Sequence, residues 1–199
     1  MYRKGYWEKI GLMKYSRYKR GSLVMVNFTP SVGSELKNNH LAIVLTKKDS
    51  PNNAVLTVVP LSSKSKPYYL NLGNFIWSNI NPSLSKTVKD LTNSKESIRE
   101  RLSNLSKIET EELRKKSEEE LYHDYQSLMH NLDEYFAIMS HYNNKNTSSY
   151  ALVQNITTIS KTRILKPINK YDPIKDLKVP DEILDRIDQK LIELFISKI

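Results

Sequence analysis

No cysteine occurs in this 199-residue chain. That absence excludes a disulfide framework and any thiolate nucleophile, and it suits a reducing cytoplasm. No apolar run approaches the roughly 18 residues of a membrane span, so no membrane partner is expected. Residues 1–21 are basic and aromatic, without the continuous apolar stretch or small-residue cleavage site of a secretory signal. Glycine and proline thin out between about Ser83 and Tyr142. No His-Glu-x-x-His pattern occurs, and His123 and His130 stand seven apart, two turns of an expected helix, a poor spacing for a shared metal. These two and His141 read as surface or seam residues, and neither a metal site nor a cofactor is expected.

What is present begins with charge. The net charge is +9, unevenly spread. Residues 1–21 carry seven Lys/Arg against Glu8 alone, and residues 86–142 carry nine against twelve Asp/Glu. The basic excess therefore lies outside the second segment, which suits a polyanion-binding body with a neutral-to-acidic appendage. In residues 1–19, Tyr2, Tyr6, Trp7, Tyr15 and Tyr18 interleave with cations. Such a pattern can stack on bases, but the more economical expectation is an arm that packs its aromatics on the body.

Two apolar runs, containing Leu23 and Met25 and then Leu41, Ile43 and Leu45, alternate as strands do. Pro30 and Gly33 mark turns between them. Asp49 to Asn53 is a loop, Leu56 to Leu61 a third strand, and Tyr68 to Leu72 a fourth. The apolar period then turns helical, through Val88, Leu91, Ile98, Leu102 and Leu105. Ser106 to Glu109 reads as a capping box opening a second helix. There, Leu121, Tyr125, Leu128, Leu132, Tyr135, Met139 and Tyr142 step alternately by four and three, as in a helical hairpin or a helix docked on the body. An intermolecular coiled coil is the sharper alternative. Tyr150 to Ile159 returns to strand character. Pro180-Asp181 opens a final helix with Ile183, Leu184, Ile187, Leu191, Leu194 and Phe195 on one face. The expected layout is an extension at 1–19, a β-rich body from 20–85 and 148–199, and a helical insertion at 86–147.

Four stretches, taken in order, resemble one family. RGSLVMVNFTPSVGSE is similar to the opening of PemK/MazF-type toxins. LAIVL and LTVVPLSSK resemble that family's second and third strands. YALVQNITTISKTRI resembles its later strand with the pattern Gln-Ile-Arg-Thr-Ile-Asp-Lys-x-Arg. The resemblance covers both body segments but neither residues 1–19 nor about 76–147. It implies an α+β fold: a small SH3-like β-barrel with a C-terminal helix, here carrying an inserted helical hairpin. It also implies a homodimer that cleaves single-stranded RNA such as mRNA without metal, and a cognate antitoxin, protein or RNA, that occupies the RNA site. Gly33, Ser34, Glu35, Thr158, Lys161 and Arg163 match the family pattern. His40-Leu41 stands where Arg-Pro is usual, Ser62 where Thr is usual, Thr157 where the later Arg is usual, and Ser160 for the Asp that follows. The insertion also resembles the lengthening seen in phage-defence RNases of the ToxN and AbiQ type, which are held by an RNA antitoxin.

Metal-free RNA cleavage needs a base for the ribose 2′-OH, an acid for the leaving 5′-oxygen, and donors for the charged phosphorane. Imidazole gives and takes protons near neutral pH, whereas guanidinium stays protonated. His40 is therefore a more natural base than the Arg it replaces. Ser62 can donate to a non-bridging phosphate oxygen. Lys37 and Lys64 suit phosphate contacts, Glu35 suits orienting His40 or reading a base edge, and Arg20, Ser34 and Ser63 complete the expected RNA surface. The bland readings are a polar loop-to-strand histidine and serines serving turn chemistry. Loss of activity with the Arg would leave a binding module or regulator. A third reading places function in the tyrosine-rich helical seam.

Overall fold

The computed structural model describes residues 14–142 and 148–196. Among these are seven strands: β1 (Leu23–Asn27), β2 (Asn39–Val44), β3 (Val55–Ser62), β4 (Leu70–Asn71), β5 (Tyr150–Ala151), β6 (Thr157–Ser160) and β7 (Ile164–Lys166). Three α-helices accompany them: α1 (Phe75–Asn104), α2 (Glu111–Tyr142) and α3 (Asp181–Phe195). Two compact units emerge. One takes the described residues of Met1–Trp77, Asn146–Ile168 and Ile174–Ile199; the other takes those of Ser78–Lys145 and Asn169–Pro173.

In the first unit β1, β2 and β3 form an antiparallel meander. β6 pairs with β3, and β7 pairs with β1. Only the short 3-10 turn Lys161–Arg163 separates β6 from β7, so the strands close on themselves as an SH3-like barrel. Val24, Val26, Phe28, Ala42, Val44, Leu56, Val58 and Ile159 fill it. The runs that looked most strand-like in sequence, Leu23/Met25 and Leu41/Ile43/Leu45, have the opposite parity to the core positions on their own strands. Leu23, Ile43 and Leu45 are also buried, while Met25 and Leu41 are half-buried. Successive strand residues point to opposite faces, so β1 and β2 bury both.

One expected strand breaks into three pieces. Tyr150–Ala151 pairs with Leu61 and Ser62, and Thr157–Ser160 pairs with Val55 to Val58. Between them the 3-10 turn Val153–Asn155 leaves the ladder. The break lies opposite Pro60. Its carbonyl accepts from the Leu152 amide at 2.9 Å, but proline has no N–H to return a bond.

The last helix buries Ile183, Leu184 and Ile187, whereas Phe195, expected on the same face, is exposed. Asp181 and Glu182 sit in its first turn, where the helix dipole favours negative charge.

Lys161, buried in the barrel unit, reaches Asp49 at 2.8 Å, with side-chain exposures of 2% and 0%. Its ammonium also donates to the carbonyls of Ser16 and Ser50, and the rings of Tyr15 and Tyr18 lie 5.9 Å from it. The Tyr18 amide donates to Asp49 and the Tyr15 amide to the Pro51 carbonyl. The described end of the N-terminal extension is thus pinned to the body; Tyr2, Tyr6 and Trp7 lie outside the described residues. Burial alone would raise the Asp49 carboxyl. The Lys161 hydrogen bond and charge, with the Tyr18 and Ser50 amides, outweigh it and hold the group below its ordinary value. A depressed carboxyl contributes stability above its unfolded value, about 3.9, and loses it as pH falls through the folded value. The melting-temperature gap between wild type and Asp49→Asn should therefore be widest near neutral pH and shrink below about pH 4. A gap independent of pH would contradict this.

In the second unit the buried helical positions are sparser than the sequence suggested. Leu84 and Leu91 on α1, and Leu121, Leu128, Tyr135, Ile138 and Tyr142 on α2, are buried. Val88, Leu102 and Tyr125, expected on the seam, are exposed. Arg101 of α1 pairs with Asp124 and Glu120 of α2, making the segment a helical hairpin. The second helix opens at Glu111 rather than in the Ser106 box, because Leu105–Lys107 is a 3-10 turn. The first begins at Phe75 and runs through Pro82, with buried Ile80 and Leu84 on either side of the missing donor. The Tyr142 hydroxyl donates to Asp172 at 2.7 Å. Burial, then the Asp172 charge and hydrogen bond, pushes that phenol far above its usual range.

Candidate active site

The break opposite Pro60 opens a groove of about 580 Å³ on the barrel, an ordinary size for a binding site. Phe28, Pro30, Leu36, Pro60 and Ile156 supply apolar wall; Glu35, Asn155, Thr157, Thr158, Ser160 and Arg163 supply polar groups. One edge is the loop between β1 and β2. Gly33, at φ +56°, turns it, a conformation that costs glycine little. Glu35 accepts from the Val32 amide at 2.9 Å, and the Glu35 amide donates to the Val32 carbonyl at 3.1 Å. Its carboxylate therefore shapes the loop while lining the groove. Ser34 and Lys37 are exposed on the same loop.

His40 stands beside this wall. Its ring meets Phe28 edge-on at 6.2 Å between centroids. Nδ1 lies 3.0 Å from the Leu61 carbonyl and Nε2 2.9 Å from the Lys37 carbonyl. A neutral imidazole carries one N–H and can donate to only one of these. β2 pairs Ala42 with Pro60, and Ser62 directly follows Leu61, whose carbonyl the His40 ring meets. The Ser62 hydroxyl accepts from the Lys64 amide at 3.0 Å, which is turn chemistry, and its own proton can still be donated. Ser63 and Lys64 are exposed just beyond it.

Arg20 does not line the groove. Its guanidinium donates to the Leu45 carbonyl at 2.8 Å and pairs with Asp188 of α3 at 2.5 Å, with 20% of the side chain exposed. Together the two contacts brace the barrel against its own helix. Lys161, a match to the family pattern, is likewise spent on Asp49. Arg163 and Thr158, two further matches, do line the groove. Their place in the family pattern was the signal that could have put them in the site. Nothing in the sequence singles out Asn155, which the 3-10 turn brings there.

Residues 19–119, just over half of the chain, match the family described as PemK-like, MazF-like toxin of type II toxin-antitoxin system. The chain belongs to this family. Its membership carries toxin endoribonuclease function at the level of the family, with RNA as substrate and an antitoxin as partner. The matched residues begin at the barrel and run on into the helical insertion, further than the motifs alone suggested, and stop before the strand at 150–160. A crystal structure of MazF (Form-I) from Deinococcus radiodurans is similar over 92% of this chain and 99% of its own, with 14% sequence identity and a TM-score of 0.43. No curated protein matches. Among the described residues of this PemK/MazF-type chain, no helix is long and apolar enough to cross a membrane. Nor does any group of three His, Cys, Asp or Glu side chains stand ready for a metal ion.

Proposed function

We propose that this PemK/MazF-type toxin is an endoribonuclease that cuts single-stranded RNA without a metal, beside the groove between the β1–β2 loop and β6. The observation that carries this reading is the His40 ring, held on the Leu61 carbonyl next to Ser62. In the reactive tautomer Nδ1–H donates to the Leu61 carbonyl, which leaves Nε2 as the basic nitrogen. In that tautomer Nε2 has no proton for the Lys37 carbonyl; it meets the ribose 2′-OH in that carbonyl's place and removes its proton. The 2′-oxygen then bonds to phosphorus, the bond from phosphorus to the 5′-oxygen breaks, and water protonates that oxygen while the proton held on Nε2 returns to solvent. The products are a 2′,3′-cyclic phosphate and a 5′-OH. Ser62 donates to a non-bridging oxygen as charge builds. Lys37 and Lys64 neutralise neighbouring phosphates, and Ser34, Ser63 and Glu35 contact sugar or base edges. A cognate antitoxin, protein or RNA, neutralises the enzyme by covering this surface. The working form is a cytoplasmic homodimer.

Purified protein should cleave single-stranded RNA equally with and without EDTA, and the fragments should carry 5′-OH ends. Loss of cleavage in EDTA, or 5′-phosphate ends, would rule out this chemistry. One observation favours a second reading. Both ring nitrogens of His40 face backbone carbonyls, as in a barrel that binds RNA without cutting it. Tight, salt-sensitive RNA binding with no turnover would favour that regulator.

A further inference from the structure

A second concave site lies on the barrel unit, beyond the proposed cutting residues along the same loop. Lys66-Pro67-Tyr68-Tyr69 is a β-turn: the Tyr69 amide donates to the Lys66 carbonyl at 3.0 Å, and proline presets φ at its second position. The turn throws two tyrosine rings together, edge to face, at 4.9 Å between centroids. The Lys66 ammonium sits 5.7 and 5.6 Å from the two ring centroids. The rings also border a cavity of about 370 Å³ whose far side is α3, with Arg186, Gln189, Lys190 and Glu193. Lys66 does not line that cavity, so it does not fill the space beside the rings. Tyr68 is 45% exposed. Arg186 donates to the Asn71 carbonyl at 2.6 Å through one nitrogen, and the guanidinium has further N–H groups to offer.

We infer that this cavity is a stacking subsite for single-stranded RNA, taking a base against Tyr68 while Lys66, Arg186 and Lys190 hold the phosphates on either side. The chemistry is that of sequence-tolerant single-strand binding: an aromatic face for a base and cations for the backbone. Two features argue for RNA as the occupant. The site is charge-complementary to a polyanion, although Glu193 pairs with Lys190 at 3.0 Å. It is also within reach of the proposed cutting residues, since Tyr68 follows Ser62 by six positions. Six extended residues span at most about 20 Å, so the subsite lies a few nucleotides from the scissile phosphate. The inference rests on the reading of the groove as an RNA site, and it adds a second anchor for longer strands. The Gln189 amide and the Glu193 carboxylate can meet a base edge without demanding one base.

Affinity and cleavage separate the two ideas. Binding is measured with 2′-O-methyl RNA, which lacks the attacking hydroxyl, as a long strand of about 20 nucleotides and as a short one, a dinucleotide that cannot extend from the scissile phosphate to Tyr68. Tyr68→Ala should weaken binding of the long strand about 10-fold and leave the short one unchanged. Tyr68→Trp should restore it, because any flat aromatic stacks. Cleavage of a short unmodified RNA should be the same in wild type and Tyr68→Ala. An unchanged affinity for the long strand would overturn the subsite, as would an equal loss for both lengths. If wild type binds in this length-dependent, Tyr68-dependent way but cuts no RNA, the subsite stands and the nuclease reading falls.

Discussion

Replacing His40 with alanine should lower the rate of RNA cleavage by at least about 10²-fold, the lower range for losing a positioned general base. Folding should survive the change. The ring is half-buried and, as a neutral imidazole, donates to one of the two backbone carbonyls it faces, and losing such a bond costs on the order of 1 kcal/mol. Two further substitutions divide orientation from proton transfer. His40→Gln keeps a donor for the Leu61 carbonyl but has no basic nitrogen, so it should be as slow as alanine. His40→Arg restores the residue usual in the family; its charge can stabilise the phosphorane but is a poor proton acceptor, so it should retain part of the rate. Single-turnover kinetics on one defined RNA will rank these variants. An alanine variant that cuts at close to the wild-type rate would remove His40 from the mechanism.

The second large effect is on stability. Lys161→Met should destabilise the protein by about 3–5 kcal/mol, because it leaves Asp49 buried without its counter-charge. For a chain of this length that corresponds to a melting temperature lower by roughly 6–20 °C. The loss includes the anchorage of the N-terminal extension, since the same ammonium holds the Ser16 carbonyl. Pairing Lys161→Met with Asp49→Leu should recover much of the loss, as apolar replacements of buried ion pairs often do. Thermal melts of the two variants check this. If the single variant melted with wild type, the pair would be dispensable.

These two residues also mark how far the sequence could be read. The meander of β1, β2 and β3 was visible because its apolar runs are bounded by clear turn residues. Which parity faced the barrel interior was not, since both faces are buried and alternation carries no contrast. The split of the 150–160 strand follows from Pro60, about 90 residues away in sequence and adjacent only in space. The heptad pattern gave the helical hairpin but overstated its seam, because two helices facing each other bury a narrow stripe and leave Val88, Leu102 and Tyr125 outside. Among the candidate site residues, His40, Ser62 and Glu35 came from their places in the family pattern together with the chemistry their side chains permit, and Lys37 from its chemistry alone. Lys161 shows the limit of that route. A position in a family motif says that a residue matters, and only the burial and partners of its ammonium say that it matters for folding. Arg20 teaches the same lesson through Asp188.

The central claim is attack by the substrate's own 2′-OH, and one substitution in the RNA tests it. Once the cut position of an RNA has been mapped, a single 2′-deoxy nucleotide is placed on the 5′ side of that bond, and cleavage is followed by wild-type protein. The account predicts no cleavage at that bond, with binding of the strand retained. Cleavage at the undiminished rate would contradict it, because the nucleophile would then come from elsewhere.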